Sequence, residues 1–292
     1  MKRYIRSAVV NVADEDEDIK KELASSSDTS LEDLYNLIDA SGDFSFIPQY
    51  AASNPSIPIE NLYELSNSDK VYVRRGVALN PNTPLDILDH LSHDEDAGVR
   101  TYIATRKDIP SWLCTRLSND SALTVRIQAI KNPEINENVL WSIINSPHCY
   151  GCDISGVLAN PITTPEMLAG IVYNTTNNDK YPLLCWSDVY ALLRDVRLPY
   201  ESLLLLCDPI IDKYTDLSSQ YINRILSDRP NGYDITAVLE NIWHYGSLSN
   251  SKQIAESKDT PTEFLEYVYN NMESCDLRDV IAVNLRNRGI NL

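Results

Sequence analysis

The run HCYGCD sets Cys149 and Cys152 two residues apart with His148 adjacent, and those residue types can ligate a metal or cycle as a dithiol. A structural zinc ion takes four ligands, usually from two such pairs, and the sequence holds no second CxxC and no HxxxH. A redox dithiol would sit in a thioredoxin-like βαβ context, which is also missing. Cys149, Cys152 and His148 therefore stand as a metal candidate against a simpler reading, a corner insertion between structural units. No cofactor is expected. The sequence has no GxSxG, no glycine-rich phosphate loop and no HExxH. Its four histidines, at 90, 93, 148 and 244, fall in unrelated phases, so no catalytic residue is assigned and a non-enzyme is expected.

Two other groups have the chemistry of binding. Tyr181, Trp186, Tyr190, Tyr214 and Tyr221 cluster near 173–190 and 208–223, and such rings offer large contact area with a polar tip. They form either a partner-binding patch or the packing of an irregular C-terminal region. Arg74, Arg100 and Arg126 recur at intervals of 26 and 26 residues, with Asp69, Asp94, Asp96 and Asp120 close by in sequence. They make either internal salt bridges or a stripe for an acidic peptide or nucleic acid.

Composition narrows the partner. Among 292 residues, 42 Asp plus Glu face 25 Lys plus Arg, a formal charge of −17 that repels a phosphate backbone. Nucleic acid is an unlikely partner on this ground. The apolar run after Met1 is short, contains Asn11 and meets an acidic cluster, unlike a signal peptide. No window reaches the apolar length of a membrane span, so a soluble, cytoplasmic protein is expected. Six cysteines in so long a chain read as reduced, mostly buried thiols.

The arginine interval belongs to a wider repeat. Register marks fall at Ser30, Pro58, Pro84, Pro110, Asn136, Thr164, Pro199, Ile235 and Pro261, with gaps of 28, 26, 26, 26, 28, 35, 36 and 26 residues. Four positions after each mark stand Leu34, Leu62, Leu88, Cys114, Leu140, Leu168, Leu203, Leu239 and Leu265. Seven positions after stand Leu37, Leu65, Leu91, Leu117, Ile143, Ile171, Leu206, Ile242 and Val268. A fixed apolar period of this length marks a solenoid.

Each unit reads as two helices. The second begins near the mark: Thr83 or Thr260 can cap it, Pro84 or Pro261 suits its first position, and Thr260 with Glu263 has capping-box spacing. The first, expected to be shorter, carries Val73, Val77 and Ala78, then Val99, Ile103 and Ala104, then Val125, Ala129 and Ile130. It stops at Asn54, Asn80, Asn132 and Asn160, each before a proline, where the α conformation is disfavoured. Such asparagines can bond free carbonyls or N–H groups at the corner. Ordering one unit costs roughly 40 kcal/mol, while each large apolar side chain returns only ~1.5–3, so a unit needs neighbours on both sides.

The stretch VRRGVALNPNTPLDILDHLSHDEDAGVR resembles the variant leucine-rich repeat, a bacterial motif of two short helices per unit. The likeness is good from about Ile19 to Ile171 and looser beyond. It implies an all-α, right-handed α-solenoid of about nine to ten two-helix repeats, with HEAT-like repeats as the alternative. The family's best-known member adds an N-terminal cysteine cluster holding an iron–sulfur centre; the first cysteine here is Cys114, so that cofactor is not carried over. The expected layout is one solenoid over 1–292: a cap over 1–17, regular repeats over 18–171 and irregular ones with insertions over 172–292. The expected function is a protein–protein interaction scaffold. The alternative is an acidic inhibitor or nucleic-acid mimic of a basic partner, and the third reading is a metal- or nucleic-acid-linked repeat protein.

Overall fold

The computed structural model describes residues 17–40, 46–146, 151–177, 186–206, 219–230, 233–271 and 277–292. Among them are 19 α-helices and no strand, the all-helical repeat architecture that the periodicity predicts. The chain divides into two compact units, 1–140 and 141–292.

In the first unit, helices alternate between two rows. The first row is α1 (Glu17–Ser25), α3 (Ile47–Ala52), α5 (Val71–Leu79), α7 (Ala97–Ala104) and α9 (Leu123–Lys131). The second row is α2 (Leu31–Ala40), α4 (Ile59–Leu65), α6 (Leu85–Leu91), α8 (Ser111–Leu117) and α10 (Glu137–Ile144), whose last turn crosses the unit boundary. Successive first-row helices pack directly on one another, whereas successive second-row helices approach less closely and are linked by side chains. Gly76 sets the closest approach. A β-carbon there would lie 2.5 Å from the Gln49 carbonyl oxygen and 2.6 Å from Ala52 Cβ, so α5 can rest on α3 only without a side chain at 76.

The apolar rows behave as the period requires. All nine residues of the four-after row are buried, from Leu34 through Cys114 to Leu265. In the seven-after row Ile143 is only half-buried, and Ile144 takes the core position one residue on. Val73, Val77 and Ala78, with their counterparts in α7 and α9, are fully enclosed.

Corners join each unit to the one before. Asn80 Nδ2 donates to the carbonyls of Ala52 (3.0 Å) and Asn54 (2.8 Å), while its Oδ1 accepts from Asn82 N at 2.9 Å. Asn54 repeats this toward Ala24 and Ser26, and Asn132 toward Ala104 and Arg106. Between them, Arg106 stands in the asparagine's place and reaches Ala78 O and Asn80 O with its guanidinium. A buried carbonyl at a helix end needs a donor, and each corner supplies two.

Two local expectations are corrected. Thr83 and Thr260 do not cap the second helices; each hydroxyl donates back to a first-helix carbonyl, Val77 O and Ile254 O, both at 2.6 Å. The hydroxyl proton closes the preceding helix, and Pro84 itself becomes the N-cap. The capping box forms instead at Ser247 and Asn250. Nor is the first helix consistently the shorter: α5 has 9 residues and α6 has 7. The second helices stop early because Ser66, Ser92 and Ser118 donate to the carbonyls of Tyr63, Asp89 and Thr115 at distances of 2.8, 2.6 and 2.8 Å.

The second unit contains α11 (Gly151–Leu158), α12 (Pro165–Asn177), α13 (Trp186–Arg194), α14 (Tyr200–Leu205), α15 (Ser219–Ser227), α16 (Thr236–Tyr245), α17 (Leu248–Glu256), α18 (Thr262–Asn271) and α19 (Arg278–Asn287). Its first-row helices, α11, α13, α15, α17 and α19, again pack in succession. Where α5, α7 and α9 bury Val73, Val99 and Val125, the matching positions of α11, α13 and α17 bury Asp153, Asp188 and Asn250. Ser155 Oγ donates to the Asp188 carboxylate. Its corners draw on the same two kinds of donor: Arg224 Nη1 reaches Leu193 O at 2.8 Å, and Asn284 Nδ2 reaches Ala255 O at 2.7 Å.

Candidate interaction surface

The sequence-derived binding residues divide by position. Tyr181, Tyr214, His148 and Cys149 lie outside the described residues, as do the side chains of Trp186, Tyr190 and Cys152. Tyr221 is 1% exposed, and its hydroxyl donates to Leu203 O at 2.8 Å. As a partner contact it is corrected: its ring fills the core of the second unit, and the buried hydroxyl needs that carbonyl. Among the described residues, no group of three or more His, Cys, Asp or Glu is placed to hold a metal ion.

The arginine ladder turns inward. Arg74 grips Asp94 with Nε at 2.7 Å and Nη2 at 3.0 Å, and its Nη1 donates to Ser68 O at 2.9 Å. Arg100 does the same one unit on, to Asp120 and to Asp94 O. Arg126 holds the carbonyls of Asp120 and Ser121, while position 146, where the next aspartate would fall, is Ser146. The partner-facing reading is thereby corrected for Arg74 and Arg100, whose planar forks match a carboxylate in the following corner and leave little for an outside ligand.

These pairs set an acid response. The Arg75 guanidinium, bonded at 2.8 and 2.9 Å, holds the Asp96 carboxyl below its usual range, and the Val99 N–H adds to this. For Asp120, burial pushes upward, but hydrogen bonds from Arg100 and the Ala122 N–H outweigh it and leave the carboxyl lowered. A lowered folded pKa means that the stabilisation is present above the unfolded value near 4 and is lost as pH falls through the folded value. The urea midpoint should therefore drop as pH is taken from about 5 to about 2, and Asp120→Asn should flatten that slope while lowering the midpoint at neutral pH. An unchanged slope in the variant would remove Asp120 from this account.

Cys114 occupies a leucine position in the buried row. Burial pushes its thiol up to about 11, with the Glu134 charge adding to this, so it stays protonated and inert as a nucleophile.

The outer face of α2, α4 and α6 was missed by the sequence reading. At the first position of each helix stand Leu31, Ile59 and Leu85, which are 38%, 47% and 45% exposed. Beside them lie Glu32, Glu60 and Asp86, all exposed. The three helices also carry Asp33, Asp39, Glu64 and Asp89, and contain no lysine or arginine. Side chains tie one helix to the next. Asn61 Nδ2 donates to Tyr35 Oη at 2.9 Å, and Tyr63 Oη donates to Asp86 Oδ2 at 2.5 Å. Arg116 of α8 bonds the Asp89 carboxylate and, at 2.6 Å, Ser92 Oγ, while its guanidinium covers the exposed Trp112 ring at 5.2 Å. The signal was present in the sequence as the recurring pair Leu-Glu, Ile-Glu, Leu-Asp directly after the marks Ser30, Pro58 and Pro84.

Paired helices, corner donors and enclosed apolar rows define an α-helical repeat protein. One stretch is similar to a known repeat: the family model described as leucine rich repeat variant matches residues 73–96, from the first turn of α5 to the N-cap of α7. No curated protein and no solved structure matches the chain.

Proposed function

We propose that the protein is a non-enzymatic interaction scaffold that docks another protein on the outer face of α2, α4 and α6. The carrying observation is the exposed row Leu31, Ile59 and Leu85, extended by Tyr63 and Trp112 on helices already tied together. Apolar side chains gathered in water mark contact surfaces, and a face held by its own bonds loses little freedom when a partner covers it. No helix among the described residues is long and apolar enough to cross a membrane. The unpaired Cys114 suits a reducing compartment, and we assign the protein to the cytoplasm on that basis.

The test compares full-length wild type with an Ile59→Ser, Leu85→Ser double variant as baits in extract of the native host, after matching their melting curves. Wild type should retain a protein that the variant loses. Identical captures from both baits would end the reading for this face.

A further inference from the structure

We infer that the segment docking on this outer face is a basic, amphipathic helix of the partner protein. The inference rests on the docking reading above and adds the chemistry of the occupant. Its first support is charge. Exposed Glu32, Glu60 and Asp86 run beside Leu31, Ile59 and Leu85, and α2, α4 and α6 contribute no cation of their own. Arg74, Arg75, Arg100 and Arg106 lie on or at the ends of first-row helices, each bonded to an aspartate, while two cations that reach this row are themselves engaged, Lys70 at the Ile38 carbonyl and Asp39 of α2 and Arg116 at Asp89 of α6. Apolar contact and negative field therefore coincide on one row of helices. A polyanion such as nucleic acid would meet repulsion there, whereas lysines flanking an apolar stripe would meet attraction.

The second support is spacing. Side-chain bonds from Asn61 to Tyr35 (2.9 Å) and from Tyr63 to Asp86 (2.5 Å) hold α2, α4 and α6 within mutual reach, on the order of 10 Å from one helix to the next. A helical partner presents the same face every seven residues, an advance of about 10.5 Å. An extended strand advances about 10 Å in three residues, but three is odd, so successive anchors would point to opposite sides. Leu31, Ile59 and Leu85 thus match residues i, i+7 and i+14 of one helix lying across α2, α4 and α6.

The probe is a fluorescein-labelled helical peptide of about 18 residues, with leucines seven apart and lysines flanking them. Its control has every lysine replaced by glutamate. Anisotropy is read with the full chain as wild type, as Glu32→Lys with Glu60→Lys, and as Glu263→Lys with Glu266→Lys, which changes net charge equally in the second unit. The lysine peptide should bind wild type, weaken as salt rises from about 50 to about 200 mM, and lose at least about tenfold with the first variant but under about twofold with the second. Equal loss with both variants, no binding of the lysine peptide, or preference for the glutamate peptide or for duplex DNA overturns the proposal. Capture that depends on Ile59 and Leu85 would leave the scaffold reading standing even then, so the two failures are separable.

Discussion

Replacing Asn80 by alanine should lower the stability of the first unit by about 2–6 kcal/mol, read as a drop in the urea midpoint of its helical signal. The figure follows from two backbone groups that lose their partner, the Ala52 carbonyl and the Asn82 N–H, and from the Asn54 carbonyl, which loses one donor and keeps the Ile57 N–H at 3.2 Å. Each buried group left without a partner costs about 1–3 kcal/mol, and the smaller side chain admits no replacement donor. Asn80 is fully enclosed, so water does not reach the vacated carbonyls without local opening. Asn80→Asp should do no better. Aspartate keeps an acceptor for Asn82 N but turns a carboxylate oxygen toward two carbonyl oxygens, replacing attraction with repulsion. A change below about 1 kcal/mol for Asn80→Ala would mean that the corner bonds are incidental to the fold.

Leu88→Ala should cost about 2–5 kcal/mol, whereas Leu85→Ala, three residues earlier on the same helix, should stay within about 0.5. Leu88 is 2% exposed, and removing its isobutyl group leaves a hole that α6 cannot close without shifting. Leu85 has water on its open side and surrenders little burial. The pair makes a controlled comparison, since residue type, helix and propensity are the same and only the facing differs. Matched melting curves for the two variants would contradict the assignment of inner and outer faces.

That same pair shows what the sequence could convey and what it could not. Leu85, Leu88 and Leu91 are spaced alike, so all three read as one stripe. A helix turns about 100° per residue, and each three-residue step therefore drifts by about 60°. Leu85 ends up about 120° from Leu91 and outside the core, a distinction visible only once the neighbouring helix is in place. The core rows were legible because enclosure selects residue type strongly, as the fully buried Val73, Val99 and Val125 show. Corner asparagines were legible through the following proline, but the partners of their amides lie 26 and 28 residues back, beyond any local pattern.

Hydroxyls were harder, because a threonine can accept or donate. Thr83 donates, and the cap assigned to it went to Pro84 instead. Tyrosines in the second unit carried the least information. A ring suits a core or an interface equally, and Tyr221 became core because Leu203 O lies within reach of its hydroxyl. The arginine ladder held both readings until Asp94 and Asp120 were seen 20 residues ahead of Arg74 and Arg100, within the grip of their guanidinium groups.

Native-state amide hydrogen exchange on the full chain carrying Asn80→Ala tests most directly whether each helix pair depends on its neighbour. Protection should fall most in α3 and α5, less in α1 and α7, and least in α9, a graded loss that spreads outward from the cut corner. Loss confined to residues 80–82, or an equal loss across every helix of the first unit, would contradict neighbour-by-neighbour support as the basis of this fold.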